Sequence, residues 1–294
     1  MRICQVSPYD FMHPGGVTEH VRHLSDELRH RGHEVTVLAP SSRVDDDHGI
    51  SGYIRFGRSV AVRSNGSVAR ISLSFHMVRR IRTILNEYDF DVVHYHEPLV
   101  PSLPLSVLRF NRGTNVGTFH AMARSNLGYY YGRPFLKRYV QRLHARIAVS
   151  EPARDFVARY FEGDYQIVPN GIDTTRFNPK LPPFDGARAA GWRTVLFVGR
   201  LETRKGFPTL LEAYGLLRRE RAGVRLVVVG DGPMRWGYER QCEALGIPDV
   251  LFQGHVSNEM LPRHYASADV FCSPATGRES FGIVLLEAMA SGVP

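Results

Sequence analysis

The sequence predicts an α/β protein of two domains, each a parallel sheet covered by helices on both faces. Three observations lead there. Short apolar runs of strand length alternate with amphipathic stretches of helical period along most of the chain. A proline-rich stretch, Asn178-Pro179-Lys180-Leu181-Pro182-Pro183, interrupts that alternation, which then restarts. The length, 294 residues, suits two domains of about 150 residues each.

Residues 3–6 read as the first strand. A helix follows over 17–31, with Val21, Leu24 and Leu28 at helical spacing and Gly32 as its stop. Then come a strand at 35–38, a helix at 74–85, strands at 91–95 and 116–119, and a basic helix. A strand at 146–149, a helix at 152–160 and a short strand at 166–168 complete the first half. The proline-rich break places the division at 178/179, giving domains 1–178 and 179–294. In the second, strands at 195–198, 225–229, 250–252 and 270–273 alternate with helices at 208–218, 234–245, 259–266 and 282–290. Gly292 suits a helix C-cap, and Val293 reads as the start of another strand. Four strands stand against roughly six in a complete doubly wound half, so the second domain is expected to be truncated at its C-terminus.

Composition narrows the function classes. Apolar residues make up 43% and charged residues 22%, which is globular and excludes disordered and collagen-like chains. No run approaches the ~18 apolar residues of a membrane span, and the amino terminus lacks the apolar core of a signal peptide. Cys4, Cys242 and Cys272 are odd in number and far apart, so neither a disulfide framework nor a CxxC metal site is expected. Cys4 and Cys272 fall in predicted strands and are expected as buried thiols, in a reducing cytoplasm. The net charge of +8 fits an anionic substrate, an anionic membrane or simply a solvated surface. No recognised nucleic-acid module is present.

Several places carry candidate chemistry. His13-Pro14-Gly15-Gly16 joins the first strand to its helix, where backbone N–H groups and the helix dipole favour a phosphate, although such a turn is often only a turn. No Gly-x-Gly-x-x-Gly follows that strand, and Gly230-Asp231-Gly232-Pro233 does not supply one, which disfavours a nicotinamide dehydrogenase. Arg200, at the carboxyl end of a predicted strand, and Lys205 could neutralise a diphosphate or form a plain basic loop. Glu279 precedes the last helix and Glu287 lies inside its apolar stretch. A carboxylate among Val284, Leu285, Leu286 and Met289 is costly to bury unless it meets a diol or a structural partner. His120 closes an apolar strand and so stands at a sheet rim, with His96 and Glu97 as weaker candidates at the next rim. In the helix at 74–85, Arg79, Arg80 and Arg82 lie beside Phe75, Val78, Ile81 and Leu85, a pattern that suits either anionic headgroups or a solvated helix. Arg133, Lys137, Arg138 and Arg142 near three tyrosines offer a second such surface. Asp45-Asp46-Asp47-His48 reads as a solvated turn, and no metal ligands are assigned.

Taken together, Pro-Gly-Gly, the Gly199–Gly206 segment, Val-Gly-Asp-Gly-Pro at 229–233 and the Glu279/Glu287 pair resemble the retaining glycosyltransferases of the GT-B fold. The resemblance implies two Rossmann-like domains facing a cleft, with a nucleotide-sugar held mostly by the second. It implies that Arg200 and Lys205 hold the diphosphate, and that Glu279 with the backbone of Phe281, Gly282 and Ile283 contacts sugar and phosphate. Glu287 would hold the ribose, Gly16 would approach the diphosphate, and His120 would face the transferring sugar. Tyr9, residues 64–70, His94-Tyr95-His96-Glu97-Pro98 and Thr118-Phe119-His120 look most like the phosphatidylinositol alpha-mannosyltransferases that use GDP-mannose. That resemblance places Tyr9, Thr18, Asn65, Ser67 and Arg70 at the inositol phosphate of the acceptor. The subfamily usually has glutamine where this chain has Thr18, and an aromatic residue where it has Ser64. The implied partners are a nucleotide-sugar, a phosphatidylinositol acceptor and an anionic membrane at the inner face of the plasma membrane, with no tightly bound cofactor and metal dependence left open. The alternatives are a related transferase with another donor and acceptor, a nucleotide-binding fragment without activity, and a nucleotide-sugar epimerase.

Overall fold

A computed structural model describes the chain except for residues 12–14, 43–50, 58, 65–66, 73–77, 102, 124, 185–190 and 278, with backbone alone for 60–64 and 67–72. It comprises two compact units, Met1–Gly171 and Ile172–Pro294.

In the first unit the elements run β1 (Arg2–Val6), α1 (Gly16–His30), β2 (Glu34–Ala39), β3 (Tyr53–Arg55), β4 (Ser59–Ser64), β5 (Ser67–Ser72), α2 (Val78–Tyr88) and β6 (Val92–His96). Then come α3 (Leu103–Phe110), β7 (Thr114–Phe119), α4 (Leu127–Val140), β8 (Ala145–Ala148), α5 (Glu151–Ala158) and β9 (Gln166–Ile167). Seven strands form one sheet in the order β3-β2-β1-β6-β7-β8-β9, all parallel. β4 and β5 make a separate antiparallel ribbon with Ser64 opposite Ser67. Helix starts are capped where the sequence supplies an acceptor: Asn126 Oδ1 takes the Tyr129 N–H at 3.0 Å and Ser150 Oγ the Ala153 N–H at 3.2 Å.

The second unit runs β10 (Arg193–Val198), α6 (Phe207–Glu220), β11 (Val224–Val229), α7 (Arg235–Ala244), β12 (Val250–Gly254), α8 (Met260–Ala266), β13 (Val270–Phe271) and α9 (Ile283–Ala290). Its parallel sheet has the order β12-β11-β10-β13. The whole of β11 is buried, as expected of a central parallel strand covered on both faces. Alternation along the strands sorts the core into two layers. Phe197, Leu226 and Val228 pack with Phe207 and Leu211 on one face, and Leu196, Val227 and Val229 pack with Tyr265 and Ala288 on the other.

Several elements differ from the sequence reading. No helix is expected from the sequence between β6 and β7, whereas α3 is there. Pro104 sits in its first turn, where no intrahelical donor is lost. The helix read at 74–85 is observed as α2, and residues 73–77 lie outside the described residues. The units divide at Gly171/Ile172, ahead of the proline-rich stretch, because Ile172 and Phe177 pack into the second core. The prolines are tied down too, since Arg263 donates to the carbonyls of Pro182 and Pro183 at 3.3 and 2.9 Å. Cys4 is buried in β1 as expected, but Cys272 stands just past β13 and is only half-buried. Val293 packs into the core, and the Pro294 carbonyl accepts the Phe271 N–H at 2.7 Å. Among the described residues, no helix is long and apolar enough to cross a membrane.

Both sheets reverse strand order once, at β1/β6 and at β10/β13. In open α/β sheets, ligands bind outside the carboxyl ends of the strands at such a reversal. Arg200 and Lys205 follow β10 at the second rim, and His96 and His120 stand at the first.

Candidate active site

At the rim of the second unit, β10 is followed by Gly199-Arg200-Leu201-Glu202, then a 3-10 turn, Thr203–Lys205, and Gly206 at the start of α6. Gly206 has φ +69, and a Cβ there would lie 1.9 Å from the Pro274 carbonyl oxygen. Only glycine lets this turn close against the loop after β13. That closure draws distant charges into one chain of ion pairs. Arg200 Nε and Arg204 Nε each lie 3.2 Å from a different oxygen of buried Glu202. Arg204 Nη1 then lies 3.6 Å, and Lys205 Nζ 2.7 Å, from Glu279 Oε2. Arg200, Lys205 and Glu279, scattered over 80 positions of sequence, thus belong to one network joined by Glu202 and Arg204.

Beyond Glu279, Phe281 is half-buried and Gly282 takes φ +81 at the N-cap of α9. Gly282 itself offers no side-chain cap, and the first-turn amides of Ile283 and Val284 have no intrahelical acceptor, an arrangement that suits an anion. Glu287, one turn further, accepts the Tyr265 hydroxyl at 2.7 Å. The Tyr265 hydroxyl is held well above its usual range by burial and by this carboxylate. Glu287 is therefore oriented by a buried tyrosine, a partner the sequence reading did not identify.

The rim of the first unit has different chemistry. His96 ends β6 and His120 follows β7, both buried. His96 Nδ1 lies 3.0 Å from His120 Nε2, and His96 Nε2 lies 2.7 Å from Gln5 Oε1. His94 Nε2 meets Thr118 Oγ1 at 2.7 Å. The His20 ring, from α1, packs edge-on against His96 and His120 at 5.4 and 5.2 Å. Burial pushes all four imidazoles down, His20 to about 4 with repulsion from His23, His94 to about 3 with repulsion from His20, and His96 and His120 well below the usual value with repulsion from the neighbouring imidazoles. They are neutral at pH 7. Beside them, Glu97 adopts φ +57 and its Oε1 accepts the His120 and Ala121 N–H groups, each at 2.6 Å. Burial raises this carboxyl to about 7 against the opposing pull of those two bonds.

Ring nitrogens of His20, His96 and His120 all lie within 4.8 Å of one another, and neutral imidazoles are the ligands a late first-row cation takes. The His96–His120 gap is nonetheless a hydrogen bond. A tetrahedral zinc would need those nitrogens roughly 3.3 Å apart, so the bond would have to open. The sequence reading assigns no metal ligand, and this trio is the candidate set among the described residues.

Of the residues expected at the acceptor, Tyr9 follows β1, and burial together with Glu97 raises its hydroxyl. Thr18 is buried in α1, while Gly16 opens that helix and is exposed. Ser67 and Arg70 lie on β5, but their side chains, and Asn65 altogether, fall outside the described residues. On α2, Arg80 lies over the Phe56 ring at 5.2 Å and Arg82 over Phe110 at 4.5 Å. Two of the three arginines expected at a membrane are therefore engaged with aromatic rings of their own unit. Arg79 is exposed.

The arrangement is that of a two-unit α/β enzyme with a cationic rim and a hydrogen-bonding rim, and comparison with known proteins agrees. The description "Glycosyltransferase Family 4" matches residues 14–176 and "Glycosyl transferases group 1" matches 184–294. The phosphatidyl-myo-inositol mannosyltransferase of Mycolicibacterium smegmatis is 40% identical, over 99% of this chain and 74% of that protein. The enzyme of the same name from Propionibacterium freudenreichii is 35% identical, over 100% and 76%. Among solved structures, the sucrose-phosphate synthase of Thermosynechococcus elongatus superposes with TM-score 0.73 at 21% identity, covering 100% of this chain and 80% of that one. WaaG, a glycosyltransferase involved in lipopolysaccharide biosynthesis, does so with TM-score 0.66 at 21% identity, covering 99% and 80%. The chain belongs to the GT-B glycosyltransferases, in the family of the phosphatidyl-myo-inositol mannosyltransferases.

Proposed function

We propose that the protein transfers mannose from GDP-mannose to a hydroxyl of phosphatidyl-myo-inositol, with retention of the anomeric configuration. The observation that carries this reading is the ion-pair chain Arg200–Glu202–Arg204–Glu279–Lys205, in a chain whose relatives of that name match it along nearly its whole length. As the sugar–phosphate bond breaks, negative charge grows on the departing nucleoside diphosphate. Arg200 and Lys205 are already held by carboxylates, so they can meet that charge with little reorganisation. The amides of Phe281, Gly282 and Ile283 and the exposed start of α1 at Gly16 add donors for the phosphates. Glu279 holds sugar hydroxyls, and Glu287, oriented by Tyr265, accepts the ribose diol. His120 meets the transferring sugar. The acceptor hydroxyl attacks from the face the phosphate leaves and passes its proton to a departing phosphate oxygen, so no covalent enzyme intermediate forms.

Tyr9, Thr18, Asn65, Ser67 and Arg70 hold the inositol phosphate, and Arg79, with Arg80 and Arg82, contacts an anionic membrane at its cytoplasmic face. The reaction needs no tightly bound cofactor. The test is a donor and acceptor screen with the complete gene product, offering GDP-mannose and UDP-glucose with vesicles containing phosphatidylinositol, with and without a chelator. A mannolipid of α configuration by NMR is expected. Transfer only from another donor, transfer only to a soluble acceptor, or an inverted product overturns the corresponding part.

A further inference from the structure

One face of the first sheet is anomalous at its reversal point. Cys4, Val6, Val93, Tyr95 and Phe119 project to one side and join the main apolar core. The residues of opposite parity, Gln5, His94, His96 and Thr118, share the other side, with His120 two positions beyond Thr118. A covered parallel sheet is normally apolar on both faces. A stripe of buried polar groups is costly unless each is bonded, and it marks a place where function overrides packing.

The bonds in this stripe have a direction. With the Gln5 oxygen turned to it, His96 carries its proton on Nε2, and the Gln5 amide nitrogen is left without a partner among the described residues. Neutral His96 then has a bare Nδ1, which accepts from His120 Nε2–H at 3.0 Å. Neutral His120 is left with a lone pair on Nδ1. Its backbone is pinned independently by Glu97, which takes the N–H groups of His120 and Ala121. From this geometry we infer that Gln5 and His96 are positioning residues, which hold His120 in the single tautomer whose Nδ1 accepts a hydrogen bond from a hydroxyl of the transferring sugar. The inference rests on the proposed role of His120 at the sugar.

The test separates the two. In the complete, 15N-labelled protein, long-range proton–nitrogen correlation spectra show which ring nitrogen of His120 bears the proton, with His120→Gln giving the assignment. The expected result is a proton on Nε2. Gln5→Met removes the oxygen at nearly constant volume, and His96→Phe removes the acceptor. Both should give a mixture of His120 tautomers and lower kcat about tenfold or more, with the donor KM changed far less. His96→Asn returns a carbonyl near the Nδ1 position and should restore the tautomer and most of kcat. Thermal unfolding confirms that each variant is folded. A proton on Nδ1 in the unaltered protein overturns the inference, as does an unchanged tautomer in folded His96→Phe or an Asn variant no better than Phe. If the tautomers behave as expected while His120→Gln keeps full transferase activity, the relay stands and the sugar role of His120 falls.

Discussion

The two rims occupy the same place in two sheets of the same kind, yet one holds fixed charges and the other neutral imidazoles. At the second unit's rim, the Arg200 side chain is 45% exposed and Glu279 33% exposed, so water and opposite charges keep the ions stable. At the first unit's rim, His96 is wholly buried. A charge there would lack hydration, and the imidazoles stay neutral instead. Residue type and solvent access together divide the two rims: arginine and lysine are intrinsically charged at neutral pH, whereas imidazole sits near its titration point and burial tips it to the neutral form. The half-open rim carries ion-paired groups, and the closed one carries a row of hydrogen-bonded imidazoles.

The cationic rim is most vulnerable at the loops that bring its charges together. Gly206→Val sets a side chain on the Pro274 carbonyl at φ +69. It should destabilise the protein by about 3–5 kcal/mol, from left-handed strain plus overpacking, measured by urea denaturation. If the cationic rim serves the diphosphate, Lys205→Ala should lower turnover a hundredfold or more, about 3 kcal/mol of lost stabilisation, with folding intact. Unchanged turnover would remove the electrostatic role.

The neutral rim is sharpened by pH. The lowered values of His20 and His94, about 4 and 3, mean that the unfolded chain binds protons below 6.5 before the fold does. Their stabilising effect is complete above 6.5 and is lost as pH falls, and His96 and His120 act in the same direction. Glu97 opposes them: raised from 4.5 to about 7, it destabilises the fold as pH rises across that window. Four imidazoles outweigh one carboxyl, so the denaturation midpoint should drop between pH 7 and pH 5. His20→Gln should flatten that slope by up to about 1.4 kcal/mol per pH unit, and Glu97→Gln should steepen it. The smallest effect concerns α2. Arg79→Ala should weaken binding to anionic vesicles roughly fivefold, about 1 kcal/mol. Arg80→Ala and Arg82→Ala should also cost some stability, since both guanidiniums lie over aromatic rings.

Much of the scaffold is legible in the sequence because periodicity is local. Val21, Leu24 and Leu28 announce α1, and the apolar run of β11 announces a buried strand. Where local signals conflict, the reading fails: the prolines around α3 hide a helix whose first turn tolerates them. The segment around Pro179 looks like a division, although Phe177 already packs with Tyr265 in the second core. At the site, Arg200, Lys205, Glu279 and Glu287 stand out by their positions next to glycines and helix starts. Glu202 and Tyr265, which hold them, carry no such mark. Spacing such as His94-x-His96 does hint at a shared face.

By itself, then, the sequence determined which segments alternate as strand and helix, where the tight turns fall and which charged groups stand at strand ends, because each follows from side-chain size, polarity and spacing along a few neighbouring residues. Only the tertiary structure decided that Lys205 meets Glu279, that Tyr265 orients Glu287, and that Gln5, His96 and His120 lie in one hydrogen-bonded row of buried groups. Protonation and pairing depend on burial and on partners brought in from distant elements, and no local pattern encodes either.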